Sequence, residues 1–529
     1  MVSRVVVMKG TYRDSITVMK ISNELSAASG IRSAAAVMAT GLNKRLLGDL
    51  GFRAIEVESA GPNDLVVALE AQDENALGDA LEMLDRLLSA RKTMLSGPAG
   101  PRTLDSALGM LPDANFAVIS VPGQFAKREA LRALREGLHV FLFSSNVPAA
   151  DELELKRIAK DSGLLLMGPD CGTAMLNGVV LGFGNVVRRG PVGIVSASGT
   201  GSQQVSVLVH AAGLGISQAI GTGGNDLSEQ IGGLMMIEGL KLLEDDEGTK
   251  VIVIISKPPG PPTAEKLLVV ARQCRKPVVV NFLGRSIEST ADSGVREVAT
   301  LEDAAKTACA LVRGETPRVE PFSAKKEDVL AIVEREASSL TASQKYVRGL
   351  FSGGTLCLET MVVMTPLIGG IYSNTALGGS HTLGDANVSR EHTCVDLGSE
   401  EFTAGRLHPM MDYTLRKMRI LREAKDPETA VILADIVLGI GSNPDPAAEL
   451  VPTVAEAKGL AQRGGRSLPI VASAIGTPDD PQDLTRQRKE LENAGVVVME
   501  SNAQAARIAA LIATRGAAAP RVFGSAAHG

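Results

Sequence analysis

Short, nearly unbroken runs of aliphatic residues recur along the whole chain. Examples are Val5–Val7, Phe116–Val121, Val192–Val195, Val251–Ile255, Val278–Val280, Val431–Leu433 and Val496–Val498. Runs of this length without polar alternation suit strands buried on both faces of a parallel sheet. Between them lie longer stretches with apolar residues three and four apart, as in Ala130-Leu131-Ala133-Leu134 and Leu234-Met235-Ile237-Leu240. Strand and helix alternate, so the expected class is α/β with helices on both faces of each sheet.

At about 150 residues per domain, the 529 residues make three to four domains. Breaks are expected at the Gly/Pro cluster Ser96–Pro101, near Arg189-Gly-Pro191, and over Arg313–Lys326, which lacks an apolar period. They divide the chain into a small N-terminal α/β domain over 1–95, ferredoxin-like in type, and three segments at 103–188, 190–313 and 345–515. The stretches around 243–312 and 423–513 repeat one order of parts. The first runs from Val251–Ile255 through Lys276-Pro277 and its strand to the helix Leu301–Val312. The second runs from Val431–Leu433 through Leu468-Pro469 and its strand to the Ala-rich helix Asn502–Ala513. The order points to two copies of one flavodoxin-like domain.

Trp is absent, Tyr and Phe number 4 and 11, and the net charge is −6. Proteins that read nucleic acid stack bases on aromatics and carry a basic face, so no nucleic-acid partner is expected. The five cysteines are an odd count with no CxxC, which argues against a disulfide framework or a Cys-rich zinc site; no metal site is expected. No apolar run reaches the ~18 residues of a membrane span, and the N-terminal run is too short for a signal peptide. A soluble, cytoplasmic protein with no membrane partner is expected.

Three Gly- and Ser-rich loops follow strands, where backbone N–H groups and a helix N-terminus can hold an anion. The first carries Ser196, Ser198, Gly199 and Thr200. The second carries Gly223, Gly224 and Asn225. The third carries Asp396, Gly398 and Ser399, with a helix expected from about Pro409. An ordinary tight turn also favours Gly and Ser, so each loop alone reads either way. Lys257 and Arg285 follow strands and could neutralise a phosphate, or could be solvated loop cations. His381 and His392 flank a polar, Gly-punctuated stretch and are candidates for a general base, as against structural histidines. Asp385, Asp396 and Asp435 are further acid/base candidates.

These residues resemble a known family. Ala117–Pro122, Gly168-Pro-Asp-Cys-Gly172, Gly193–Thr200 and Gly221-Thr-Gly-Gly-Asn225 resemble the α subunit of succinyl-CoA synthetase over about 103–312. Residues about 345–515, with Val395-Asp-Leu-Gly398, resemble the C-terminal domain of its β subunit. The chain as a whole, including Tyr12–Ser15, resembles the FdrA family, which fuses these parts. The resemblance implies a degenerate Rossmann-like, CoA-binding-type domain at 103–188 and ligase-type flavodoxin-like domains at 190–313 and 345–515.

The departures from that pattern bear on function. The synthetase carries a phosphorylatable histidine after the strand matching 277–283, whereas Gly284–Gly294 holds none. Ser256-Lys-Pro-Pro259 stands where its partner glutamate is expected, and no ATP-grasp domain separates the two halves. A CoA-type Gly-rich first turn is not visible near 94–103, so CoA is not an expected cofactor. The remaining chemistry is direct attack on a phosphate-bearing acyl donor. The family's resemblance to a subunit of oxamate carbamoyltransferase implies carbamoyl transfer between carbamoyl phosphate and oxamate, in allantoin catabolism. Alternatives are an NDP-forming acid–thiol ligase, succinate–CoA ligase-like and completed by other chains, or a non-catalytic scaffold. Small anionic substrates and separately encoded partner subunits are expected, and a homodimer stays open.

Overall fold

A computed structural model of the chain describes residues 1–13, 15–49, 51–89, 100–285, 294–375, 380–403 and 406–524. Most of the linker expected at 96–101, and most of the histidine-free stretch 284–294, lie outside the described residues. The chain forms two compact units. One comprises Met1–Pro112 with Gly398–Asp412; the other comprises Asp113–Leu397 with the chain from Tyr413 onward.

The first unit is built on a three-stranded antiparallel sheet. Leu65–Ala71 lies in the middle, between Val2–Met8 and Ile31–Met38. The central strand is apolar on both sides because both faces are covered. Ile21, Leu25, Leu77 and Leu84, from the helices Ser15–Ser26 and Glu74–Ser89, fill one face. Leu47, Phe52 and Val57 fill the other. The sequence reading placed 398–412 within the second flavodoxin-like domain; the structure assigns it to this first unit. Its Phe402 and Met410 are buried, which a solvated loop would not require.

The second unit holds three sheets. The smallest is parallel, with Phe116–Ile119, His139–Leu142 and Leu166–Met167 in simple chain order. The hairpin Thr173–Leu176/Val179–Gly182, expected within the Rossmann-like segment, instead extends the next sheet, pairing antiparallel with Ile216–Gly221. The break expected near Arg189-Gly-Pro191 is the start of the strand Arg189–Ser196. Pro191 is tolerated there because it lies near the strand's beginning.

The two larger sheets share one topology. The first orders its parallel strands Ile216–Gly221, Arg189–Ser196, Val251–Ser256, Val278–Phe282 and Val295–Glu297. The second orders them Thr393–Asp396, Tyr346–Phe351, Thr429–Val437, Ile470–Ile475 and Val496–Met499, and adds the short parallel strands Tyr372–Ser373 and His381–Thr382 outside Thr393–Asp396. With the two-residue strands Tyr372–Ser373 and His381–Thr382 and the antiparallel hairpin set aside, both read 2-1-3-4-5 by chain order, the flavodoxin arrangement. The closing helices, Leu301–Arg313 and Asn502–Ala513, also start alike, each capped by a hydroxyl, Thr300 or Ser501.

The segment 183–186 clips the two halves together. Gly184 bridges Ile440. Asp480 accepts hydrogen bonds from Val186 N at 2.7 Å and Asn185 Nδ2 at 2.8 Å. The small sheet is tied in by Lys156, which is fully buried and binds Glu152, Asp226 and the Thr222 carbonyl at 2.7–2.9 Å.

Candidate active site

In a 2-1-3-4-5 sheet the strand order reverses between strands 1 and 3, and ligands collect at the carboxyl ends there. In the first half, Ser196 and Lys257 mark that point; in the second, Ser352 and Leu438 do. Each strand 1 runs directly into a helix. Ser198 precedes the helix Gly199–Ala211, and its Oγ accepts from Gly201 N at 2.9 Å. Gly353 precedes the helix Gly354–Ile368 and contributes no side-chain cap.

These two helix starts meet. Ser198 Oγ donates to Thr355 Oγ1 at 2.6 Å. A Cβ added to Gly353 would stand 2.6 Å from Thr200 Oγ1. Ser198 and Gly353 each precede a helix, and Thr200 and Thr355 are each its second residue. The contacts are therefore reciprocal, as across a local two-fold axis. The N–H groups of Gly199, Thr200, Gly354 and Thr355 donate to no group among the described residues. Each helix start carries about half a positive charge, so a negative group between them is favoured.

Lys257 and Asp396 complete the surroundings. A Cβ on Gly354 would stand 3.2 Å from Lys257 Nζ and 2.5 Å from Asp396 Oδ2. Only a glycine leaves the two charged groups room to flank that point. The turns beneath are held differently. Ser196 Oγ accepts from Ser198 N at 3.0 Å and donates to Ser198 O at 2.8 Å. The Asp435 carboxylate accepts from Ser352 N, Ser352 Oγ and Gly353 N at 2.8–3.0 Å. Asp435 is wholly buried and paired with Arg416 at 2.6 Å, so it is a structural anion and not the acid/base group its residue type suggested.

The structure thus gathers Ser196, Ser198, Gly199, Thr200, Lys257 and Asp396 around one point. The other candidates have different surroundings. Gly223 packs its backbone on Gly168 and Pro169, and Gly224 faces Asp170; Asn225 is exposed. Arg285 is spent on Glu265 at 2.6 Å and Glu297 at 3.8 Å. Gly398 and Ser399 belong to the first unit. Ser399 leads into a four-residue helix, Glu400–Thr403, whose first turn is acidic. The longer helix expected from Pro409 starts at Thr414. Asp385 accepts from Asn387 in an exposed turn.

Neither histidine serves as a base at this point. His381 is exposed on the edge strand His381–Thr382, against the Tyr372 ring. His392 lies at the amino end of its strand, the opposite end from the junction, and accepts from Val347 N through Nδ1. Burial, aided by Arg348, pushes its pKa down to about 4.

The sequence reading missed Gly353, Gly354 and Thr355. A signal was present: Ser198-Gly-Thr200 and Gly353-Gly-Thr355 repeat a Gly-Thr pair just after a strand.

Family models match three segments of the chain. A family model described as CoA-ligase matches residues 350–512, and one described as CoA binding domain matches 187–284. A third, described as AllF, heavy metal-associated domain, matches 1–101. The protein YahF of Escherichia coli (strain K12) is 44% identical over 499 residues, 94% of this chain and 96% of YahF. The chain belongs to the FdrA family. Part of the chain is also succinyl-CoA ligase-like in fold. Subunit alpha 2 of the ADP-forming succinate–CoA ligase of Archaeoglobus fulgidus is 35% identical over 171 residues, 32% of this chain and 58% of that subunit. Among solved structures, PH0766 from Pyrococcus horikoshii OT3 aligns over 81% of this chain and 88% of its own, at 17% identity and a TM-score of 0.32. So low a score carries no argument. No helix among the described residues is long and apolar enough to cross a membrane.

Two ligands are suggested by these names for this FdrA-family chain, a heavy metal and CoA. Residues 1–101 contain neither cysteine nor histidine, and no cluster of three potential metal ligands occurs among the described residues. Soft metals take thiolate, thioether or imidazole, and with methionine as the one such donor type the N-terminal domain lacks the thiolate and imidazole ligands of a heavy-metal site. The CoA-binding match falls on 187–284 and not on the 103–188 expected from the sequence; the sheet of 187–284 has a strand-order reversal, the kind of crevice that takes a nucleotide cofactor, and the three-stranded sheet at 116–167 has none. Both reversals belong to the ligase-type halves.

Proposed function

We propose that this FdrA-family chain is the acyl-transfer subunit of a multi-subunit enzyme. It binds a phosphate-bearing acyl donor at the junction of Ser198, Thr200, Gly354 and Thr355. The acyl group passes directly to a nucleophile, without a phosphohistidine. The reading rests on one observation: two helix starts with unpaired N–H groups converge beside Lys257.

The donor proposed is carbamoyl phosphate and the acceptor oxamate, with oxalurate and phosphate as products. The oxamate nitrogen attacks the carbamoyl carbon, a C–N bond forms, and the C–O bond to phosphate breaks. The backbone N–H groups and Lys257 stabilise charge gathering on the phosphate oxygens. Asp396 is a carboxylate and repels phosphate at close range, so its place is beside the nucleophile. It takes the proton from nitrogen and passes it to the departing phosphate. Positioning and charge stabilisation supply the acceleration.

A thiol acceptor is the second reading. The CoA-ligase and CoA-binding matches and the succinate–CoA ligase relatives favour it over the amide acceptor. It makes the chain part of an acid–thiol ligase. One experiment separates the two. The full chain, purified with its partner subunits, is given carbamoyl phosphate and oxamate, or ATP, CoA and succinate. Oxalurate release supports the carbamoyl reading; succinyl-CoA formation supports the ligase. Product in neither assay, in either direction, overturns both.

A further inference from the structure

Behind the junction lies an ion pair with no solvent contact. Asp435, at the carboxyl end of Thr429–Val437, and Arg416, in the first turn of Thr414–Lys425, are both fully buried. Arg416 Nη2 meets Asp435 Oδ1 at 2.6 Å, and Nη1 also donates to the Asp435 carbonyl. The guanidinium lies 5.0 Å from the Tyr413 ring centroid. On its other side the carboxylate grips the Ser352 and Gly353 N–H groups and the Ser352 hydroxyl. The first half does the same task with a neutral hydroxyl, Ser196.

The choice of a charged grip has a cost. A carboxylate directly behind an anion site repels the anion, and inside the protein that repulsion is poorly screened. Arg416 cancels it. We infer that Arg416 and Asp435 are positioning residues for the phosphate-bearing substrate: Asp435 sets the Ser352–Gly353 turn so that Gly354 and Thr355 N–H groups face the ligand, and Arg416 keeps that grip electrically neutral. The inference rests on the anion reading of the junction. It assigns neither residue any contact with substrate.

The test uses the full chain and inorganic phosphate as probe, by titration calorimetry. R416M leaves the carboxylate unbalanced, and phosphate binding should weaken about tenfold. R416M/D435N removes both charges and should return to within about threefold of wild type. R416K, which keeps the charge, should stay close to wild type and covers the case in which R416M fails to fold. A merely structural role predicts no recovery in the double variant. Equal affinity in R416M and wild type, or no recovery in the double variant, overturns the inference. If wild type takes up no phosphate, the anion reading falls by itself. Amide hydrogen exchange then decides the pair's role: D435N should speed exchange at Ser352 and Gly353, and unchanged exchange there overturns it.

Discussion

Ser198 and Thr355, 157 residues apart, share a hydrogen bond of 2.6 Å between their hydroxyls. Ser198 is also the cap of its own helix, through Gly201 N. Ser198→Ala removes both roles. The cap alone is worth about 1 kcal/mol, to be read as a lower midpoint in urea unfolding. Phosphate affinity should fall in the same variant, and an undiminished affinity would remove Ser198 from the site.

Gly354→Ala places a methyl group between Lys257 and Asp396. The backbone there is helical and accepts alanine, so the stability cost comes from displacing Asp396 and should stay within about 1–3 kcal/mol. Turnover should nevertheless drop at least tenfold, because the methyl occupies the space for the reacting group. Steady-state rates beside an unfolding curve check this, and a fully active Gly354→Ala enzyme would contradict the assigned location.

Lys257→Met should raise the KM for the phosphate-bearing donor about tenfold and flatten its dependence on ionic strength, since a lost charge pair is a lost screened interaction. Arg285→Met, at the end of the next strand but tied to Glu265, should leave both unchanged. Salt titrations of the two variants side by side distinguish the cation that serves the junction from the one that does not.

A buried and a half-buried group give stability opposite pH slopes. Glu359, enclosed on the helix Gly354–Ile368 and accepting from Leu301 N and Asn502 Nδ2, has its pKa raised by burial to about 7. Its folded form prefers the proton. That stability is complete below about pH 4.5 and is lost as pH rises through 7, up to about 3 kcal/mol by linkage. His392, depressed to about 4, acts in reverse: its stability is present above about pH 6.5 and lost as pH falls through 4. Urea unfolding across pH 4–8 should show Glu359→Gln flattening the first slope and His392→Gln the second.

The sequence carried the α/β rhythm clearly because its central strands are apolar on both faces. It carried the loop at Ser198 because an unmistakable strand, Val192–Val195, precedes it. The matching loop at Gly353 was hidden by its own strand. Tyr346–Phe351 contains Arg348 and Gly349, which break the apolar run. Arg348 is nonetheless buried there, held by Asp426 at 2.6 Å and Glu423 at 3.4 Å, partners that only the folded chain supplies. Asp396 was legible as a site residue, yet its carboxyl and its position beside Gly354 suit a different task from holding phosphate. The histidines drew attention because they flank a polar, Gly-punctuated stretch, and the direction of their strands places them away from the junction.

The reciprocal junction between the two helix starts also has a kinetic consequence. Its halves are joined by one polypeptide, so their encounter is intramolecular and its effective concentration is set by the tether. Dilution cannot separate Ser198 from Thr355. Any loss of specific activity on dilution would therefore report the departure of a second chain, so the concentration dependence of the rate is a direct test of the multi-subunit assembly proposed above.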